Sequence, residues 1–269
     1  MKIAFYSYDI GRCSSFSALI MAIMICEKFS LSTIMMQNKS TREDVEKFLE
    51  LTKRRNFYKE ESVYFALDGL DFLIWLYQNK RISWGAVEEV SVPLCDRARF
   101  IPTGFREQSR LYPEKTADVQ WDIVKWLDKM TDVVLVDCGN AEDVLSEHMK
   151  RDGEVKVICI KHEKEFIEEV LVKNKKWFSD EIILLVDYDF NSVYNKENIS
   201  RIYRIPVERI AAIPKNLELE NYMSQGKMQK FFRRNKNPFI GLRNSYCMRE
   251  IREASEKIME AAYGKMHES

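Results

Sequence analysis

Short apolar runs recur along this chain, and stretches with helical periodicity lie between them. "VVLV" (133–136), "VICI" (157–160) and "IILLV" (182–186) are apolar at every consecutive position. A strand exposed on one face alternates, whereas a strand covered by helices on both faces reads as an unbroken apolar run. Strands are expected at 2–7, 32–37, 99–102, 132–137, 155–160, 181–187 and 210–214. Helices are expected at 16–29, 41–52, 68–78, 116–129, 141–150, 163–175, 196–203, 218–233 and 246–263. This β/α alternation predicts an α/β protein: a mostly parallel, twisted sheet with helices on both faces, three layers deep. No repeat, low-complexity linker or Pro/Gly-rich break divides the chain, so one domain over 1–269 is expected. An irregular excursion is expected at about 79–115, around Pro93, Pro102, Gly104 and Pro113.

Charge narrows the function. The 42 basic and 42 acidic side chains cancel, which argues against general nucleic-acid binding, where excess Lys and Arg displace counterions. The six cysteines form no C-x-x-C pair and are expected to be buried reduced thiols, and the three histidines have no metal-ligand spacing. The apolar stretch Ala18 to Cys26 follows Asp9 and Arg12 and lacks the basic start of a secretion signal. No run reaches the length of a membrane span. A cytoplasmic protein is expected, positioned at the membrane or cell pole through partners if at all.

In an open parallel sheet, ligands sit beyond the carboxyl ends of the strands. That rule selects "SYDIGRCSS", "MMQNKST", "IPTGF", "VDCGNAED", "IKHEKE", "VDYDFNS" and "IPKNLE". The first has the layout of a phosphate-binding loop: strand, polar turn with one glycine, apolar helix. Such a loop converges backbone N–H groups and a helix N-terminus on phosphate, and it needs a lysine and a Mg²⁺-binding hydroxyl. No lysine stands between Ser7 and Ser15. Ser14 and Ser15 can equally cap a helix starting at Phe16.

The order of these segments resembles the deviant Walker ATPases of the MinD/ParA superfamily, nearest the TadZ/CpaE-like branch. The matching residues are the first strand with "SYDIGRCSS", "DVVLVDCGN", Asn198-Ile199-Ser200-Arg201-Ile202, Ile213, Pro214, Asn216, Gly226, Lys227, Phe231 and the tail "RNSYCMREIREASEKIM". The resemblance spans most of the chain, least so at 53–115. It implies a P-loop NTPase-like fold, ATP and Mg²⁺ as cofactors, a homodimer, and a localisation or scaffold role in Tad/Flp-type pilus or secretion-system assembly. It assigns Gly11, Arg12, Cys13, Ser14 and Ser15 to the phosphates, Ser15 and Asp137 to Mg²⁺, and Asp187, Pro214 and Asn216 to the base. Asp137 is also the one catalytic candidate.

The departures are chemical. Both signature lysines are replaced, by Asp9 and Ser14, and Asp9 brings a carboxylate towards the phosphates; Arg12 is the nearest replacement cation. The second strand ends in Gln37 and Asn38, amides that hold water but cannot act as a base. A non-catalytic or weakly active scaffold is therefore expected, with a slow Mg-ATP switch using Ser15 and Asp137 as the alternative. Two segments raise peripheral membrane contact. "KMQKFFRRNKN" (227–237) is basic and aromatic, and the C-terminal helix is amphipathic. Burial of Phe231 or Phe232 and packing on the sheet are the competing readings.

Overall fold

The computed structural model describes residues 1–7, 13–38, 45–49, 69–103, 116–139, 144–173, 180–236 and 244–268. Their strands are β1 (Lys2–Ser7), β2 (Thr33–Gln37), β3 (Val92–Pro93), β4 (Ala98–Ile101), β5 (Val133–Gly139), β6 (Val155–Lys161), β7 (Ile182–Tyr188) and β8 (Ile210–Pro214). They form one eight-stranded sheet in the order β3-β4-β2-β5-β1-β6-β7-β8. Every pairing is parallel except β3 with β4. The expected parallel α/β sheet is present, and β1 and β5 are central neighbours.

Period-two geometry divides each strand between two cores. Ile3, Phe5, Met35, Leu135, Val157 and Leu184 point into one, and Ala4, Met36, Val134, Val136, Ile158 and Leu185 into the other. The first core is closed by α1 (Cys13–Phe29), α9 (Met228–Asn235) and α10 (Ser245–Glu268). The second is closed by α2 (Gly69–Gln78), α4 (Thr116–Asp128), α5 (Val144–Asp152), α6 (Lys164–Lys173) and α7 (Lys196–Tyr203). Helix α1 is buried at every position from Cys13 to Cys26, which only a helix apolar on all sides tolerates.

Four expectations change. Helix α1 starts at Cys13 rather than Phe16. The excursion at 79–115 contains an ordered helix, α3 (Trp84–Val90), capped by Ser83, and the short antiparallel edge strand β3. Pro93 suits that edge, where a missing N–H donor does no harm. The helix expected over 218–233 is two, α8 (Leu217–Ser224) and α9, separated at Gly226, whose φ of 67° a helix interior does not allow. Of the helix expected over 41–52, the described part is a 3₁₀ turn at Val45–Phe48.

Phe231 and Phe232 of α9 are buried, as are Met248, Ile251, Ala254, Ser255, Ile258 and Ala262 of α10. The apolar faces raised as membrane contacts are therefore spent on the core. Among the described residues no helix is long and apolar enough to cross a membrane.

Helix α10 is tied to α7 by charge. Lys196 Nζ lies 2.9 Å from Glu250 and 3.1 Å from Glu253, with the Lys196 and Glu250 side chains 11% and 9% exposed. Removing one partner of a buried pair strands the other charge, which costs roughly 3 kcal/mol. Lys196→Met is expected to lower unfolding stability by about that amount in urea titrations. Adding Glu250→Leu is expected to restore most of it, since the stranded carboxylate is then gone.

Candidate functional site

Three parallel strands, β2, β5 and β1, end side by side. Register sets Gln37 and Phe5 opposite Asp137, and Tyr6 opposite Gly139. The slip between Phe5 and Tyr6 accompanies Gly139 at φ 56°, a left-handed conformation that glycine takes without strain. The first turn of α1 meets these strand ends.

Asp137 is the centre of the site and has no exposed surface. Ser15 Oγ donates to its Oδ2 at 2.5 Å, and Gln37 Nε2 donates to the same oxygen at 3.0 Å. Gln37 Nε2 also reaches Ser15 Oγ at 3.2 Å. The Gly139 N–H donates to Asp137 Oδ1 at 3.1 Å. Ser14 Oγ lies 3.4 Å from Ser7 Oγ and also bonds to Asp137. Around this cluster the Asn38 N–H donates to the Asp137 carbonyl at 2.9 Å, and Asn38 Nδ2 donates to Ser146 Oγ at 3.3 Å. Tyr6 Oη donates to the Ser146 carbonyl at 3.2 Å.

Ser14 and Ser15 are thus not caps. They lie inside the first turn of α1, and their hydroxyls are spent on Ser7 and Asp137. Among the described residues the donors to Asp137 are hydroxyls, an amide and a backbone N–H, with no cation. Burial raises the carboxyl above the ordinary carboxylate range, while the bonds from Ser15, Ser14, Gln37 and Gly139 pull it back.

The remaining assigned residues fall elsewhere. Cys13 is the buried first residue of α1. Asp187, Pro214 and Asn216 stand at the carboxyl ends of β7 and β8, with β6 between them and β1. Asp187 has φ 58° at the register slip between Val186, which pairs with Ile213, and Tyr188, which pairs with Pro214. Asn216 is occupied as the cap of α8: its Oδ1 accepts from the Leu219 N–H at 2.8 Å, and its Nδ2 donates to Asn244 at 3.0 Å. Gly11 and Arg12, and Asp9 with them, lie outside the described residues. Sequence reasoning passed over Ser146, whose only signal is a serine on the buried face of α5 beside Leu145 and Met149. It also passed over Lys161 at the end of β6. The ion pair to Glu163 at 2.6 Å holds the Lys161 ammonium above its ordinary range.

A central β1 leading to a buried helix, with a serine on that helix touching a β5 aspartate, is the arrangement of a nucleotide-binding fold. Comparison with solved structures decides which one. The chain has the fold of the MinD and ParA ATPases. A ParA family ATPase from Chlorobium tepidum superposes with a TM-score of 0.64 at 14% identity, covering 97% of this chain and 98% of that one. A putative plasmid partition protein from Borrelia burgdorferi, bound to AMPPNP, gives 0.62 at 14% identity, with 98% of each chain covered. MinD from Pyrococcus horikoshii, complexed with Mg-ADP, gives 0.63 at 12% identity, again over 98% of each. No protein-family model and no curated protein sequence matches the chain.

Within the MinD/ParA fold the Ser15–Asp137 contact has the oxygen chemistry Mg²⁺ prefers, so these two side chains would hold the metal. Bound there, Mg²⁺ would supply the positive charge that phosphate oxygens need. To accept it, Ser15 must turn its proton away and Gln37 must release Oδ2. The phosphate side fits less well, because the segment 7–15 carries Asp9 and no lysine.

A carboxyl raised on folding weakens the fold at any pH above its unfolded-state value of ~3.9, and the penalty disappears below that. Asp137→Asn removes the buried charge, and Gln37 can turn its amide over to meet the new donor. The variant is expected to melt about 2–4 °C higher than the parent at pH 7, the shift for roughly 1 kcal/mol in a chain of this size. The gap is expected to close as the pH falls towards 4. Thermal melts across that range check it; a variant less stable at pH 7 contradicts it.

Proposed function

We propose that this protein is a non-catalytic or weakly active positioning protein built on the MinD/ParA fold. The observation that carries the reading is the state of Asp137. It is fully buried, raised by that burial and, among the described residues, held by uncharged donors, while no lysine stands in the segment 7–15 to bring phosphate towards it. Gln37, where working relatives are expected to carry an acid, cannot take a proton from water, and it closes over the same carboxylate. The partners that fit are a second copy of the chain and the proteins of a Tad/Flp-type pilus or secretion apparatus. The pattern from Asn198 to Phe231 and the C-terminal helix support that branch. ATP is at most a weak ligand, and a cytoplasmic location at the membrane or pole follows from partners.

A slow Mg-ATP switch is the second reading, and the 2.5 Å Ser15–Asp137 contact favours it. Turnover by the purified full chain separates the two. Losing a single group that stabilises transition-state charge costs about 10²–10³ in rate, and this loop lacks two lysines. Turnover at least ~10²-fold below a working ParA-type ATPase is therefore expected, and Asp137→Ala is expected to leave it unchanged. Calorimetry adds a gain-of-function test: Asp9→Lys with Ser14→Lys is expected to raise Mg-ATP affinity over the parent. A parent that binds Mg-ATP at micromolar concentration or tighter, about −8 kcal/mol, and loses turnover in Asp137→Ala contradicts the positioning reading and establishes the switch.

A further inference from the structure

Helix α1 carries a second chemical feature near its other end. Cys26 lies three residues before its last residue, and Cys95 sits in the turn joining β3 to β4, held by Leu94 and Cys95 N–H bonds to the Ala98 carbonyl at 2.8 and 3.3 Å. The two cysteines are 69 positions apart, yet the Cys95 thiol donates to Cys26 Sγ at 3.0 Å. A disulfide bond is about 2.05 Å long, so roughly 1 Å of closure separates this contact from a covalent bond. Both residues line a cavity of about 660 Å³ between α1, the β3–β4 turn and α9. Arg97, Arg233 and Lys236 line it against Glu27 and Asp96, so cations outnumber acids. Cys26 is buried and Cys95 half-buried at this cavity; Cys13, Cys138, Cys159 and Cys247 are buried and do not line it.

We propose that Cys26 and Cys95 are a redox-active dithiol, which an anionic low-molecular-weight disulfide entering this cavity converts reversibly to an intramolecular disulfide. Cys26 is the attacking sulfur. The hydrogen bond from Cys95 outweighs burial and holds the Cys26 thiol down to about 7, so much of it is thiolate at neutral pH. The same bond and burial push Cys95 well above the usual thiol range, so it waits as the protonated partner. The Cys26 thiolate attacks one sulfur of RSSR, forms Cys26–S–SR and expels RS⁻. The expelled thiolate takes the Cys95 proton and leaves as RSH. Cys95 S⁻ then attacks Cys26 Sγ, forms the Cys26–Cys95 bond and expels a second RS⁻. That thiolate is protonated by solvent, making up for the proton Cys26 lost on ionising. The sum is two protein thiols plus RSSR giving one protein disulfide plus two RSH: the dithiol is oxidised and RSSR is reduced. The bond pins the β3–β4 edge of the sheet to α1. None of this depends on whether the Ser15–Asp137 site takes a nucleotide.

The full chain, incubated natively with glutathione disulfide, quenched, alkylated and digested, is expected to yield one cross-linked species, Cys26–Cys95. Dithiothreitol is expected to reverse it. Cys95→Ser, at a half-exposed position, is expected to keep the fold by circular dichroism and to accumulate glutathione on Cys26, because no second thiol resolves it. Cys26 is expected to alkylate at least about tenfold faster than Cys247 at pH 7, since burial pushes the Cys247 thiol up to about 12. Failure of Cys26 to exchange, or cross-links scattered over the other cysteines, overturns the proposal. So does a folded Cys95→Ser or Cys95→Ala variant whose Cys26 stays unmodified.

Discussion

A carboxyl group with no access to water, held among the described residues by uncharged donors, is the constraint around which this sheet end is organised. Asp137 has to be satisfied where β2, β5 and β1 stop, because an unpaired buried carboxylate is among the least tolerable groups in a protein. Ser15 from α1, Gln37 from β2 and the Gly139 N–H each supply a bond. That requirement ties the start of α1 to the ends of two strands.

The rigidity of α1 follows from the same packing. A helix buried at every position from Cys13 to Cys26 cannot slide without opening both the sheet contact and the contact with α10. Its first turn therefore presents Ser14 and Ser15 in one fixed place, and its far end presents Cys26 to Cys95. Polar side chains sit at the first turn because the strand ends there offer partners. Further along, only Ser17 interrupts the apolar run before Cys26.

Much of the architecture was legible because burial on both faces leaves a direct mark on sequence. The runs at 133–136, 157–160 and 182–186 could only be covered strands, and all three lie inside parallel strands. The start of α1 was misread because Cys-Ser-Ser looks like a cap when judged locally. Only the strand ends, distant in sequence, reveal that both hydroxyls have tertiary partners. The helix break at Gly226 was hidden by apolar spacing that continues across it. The Asn198-to-Phe231 pattern shows the reverse case. Asn198 donates to the Val193 carbonyl, Ile199 and Phe231 are buried, Asn216 caps α8, and Gly226 takes the turn's positive φ. These residues carry the fold rather than the chemistry. The pairing of Asn38 with Ser146, 108 positions away, left no local signal at all.

The central claim is that Asp137 serves the fold before it serves a metal. Site-resolved titration of its carboxyl carbon by NMR, assigned with Asp137→Asn, with and without Mg-ATP, tests that directly. The carboxyl is predicted to titrate above the ordinary aspartate value of ~3.9 and to keep its signal when Mg-ATP is added. A carboxyl that titrates below that value, with a signal that moves saturably on adding Mg-ATP, would contradict the account and identify a working nucleotide site.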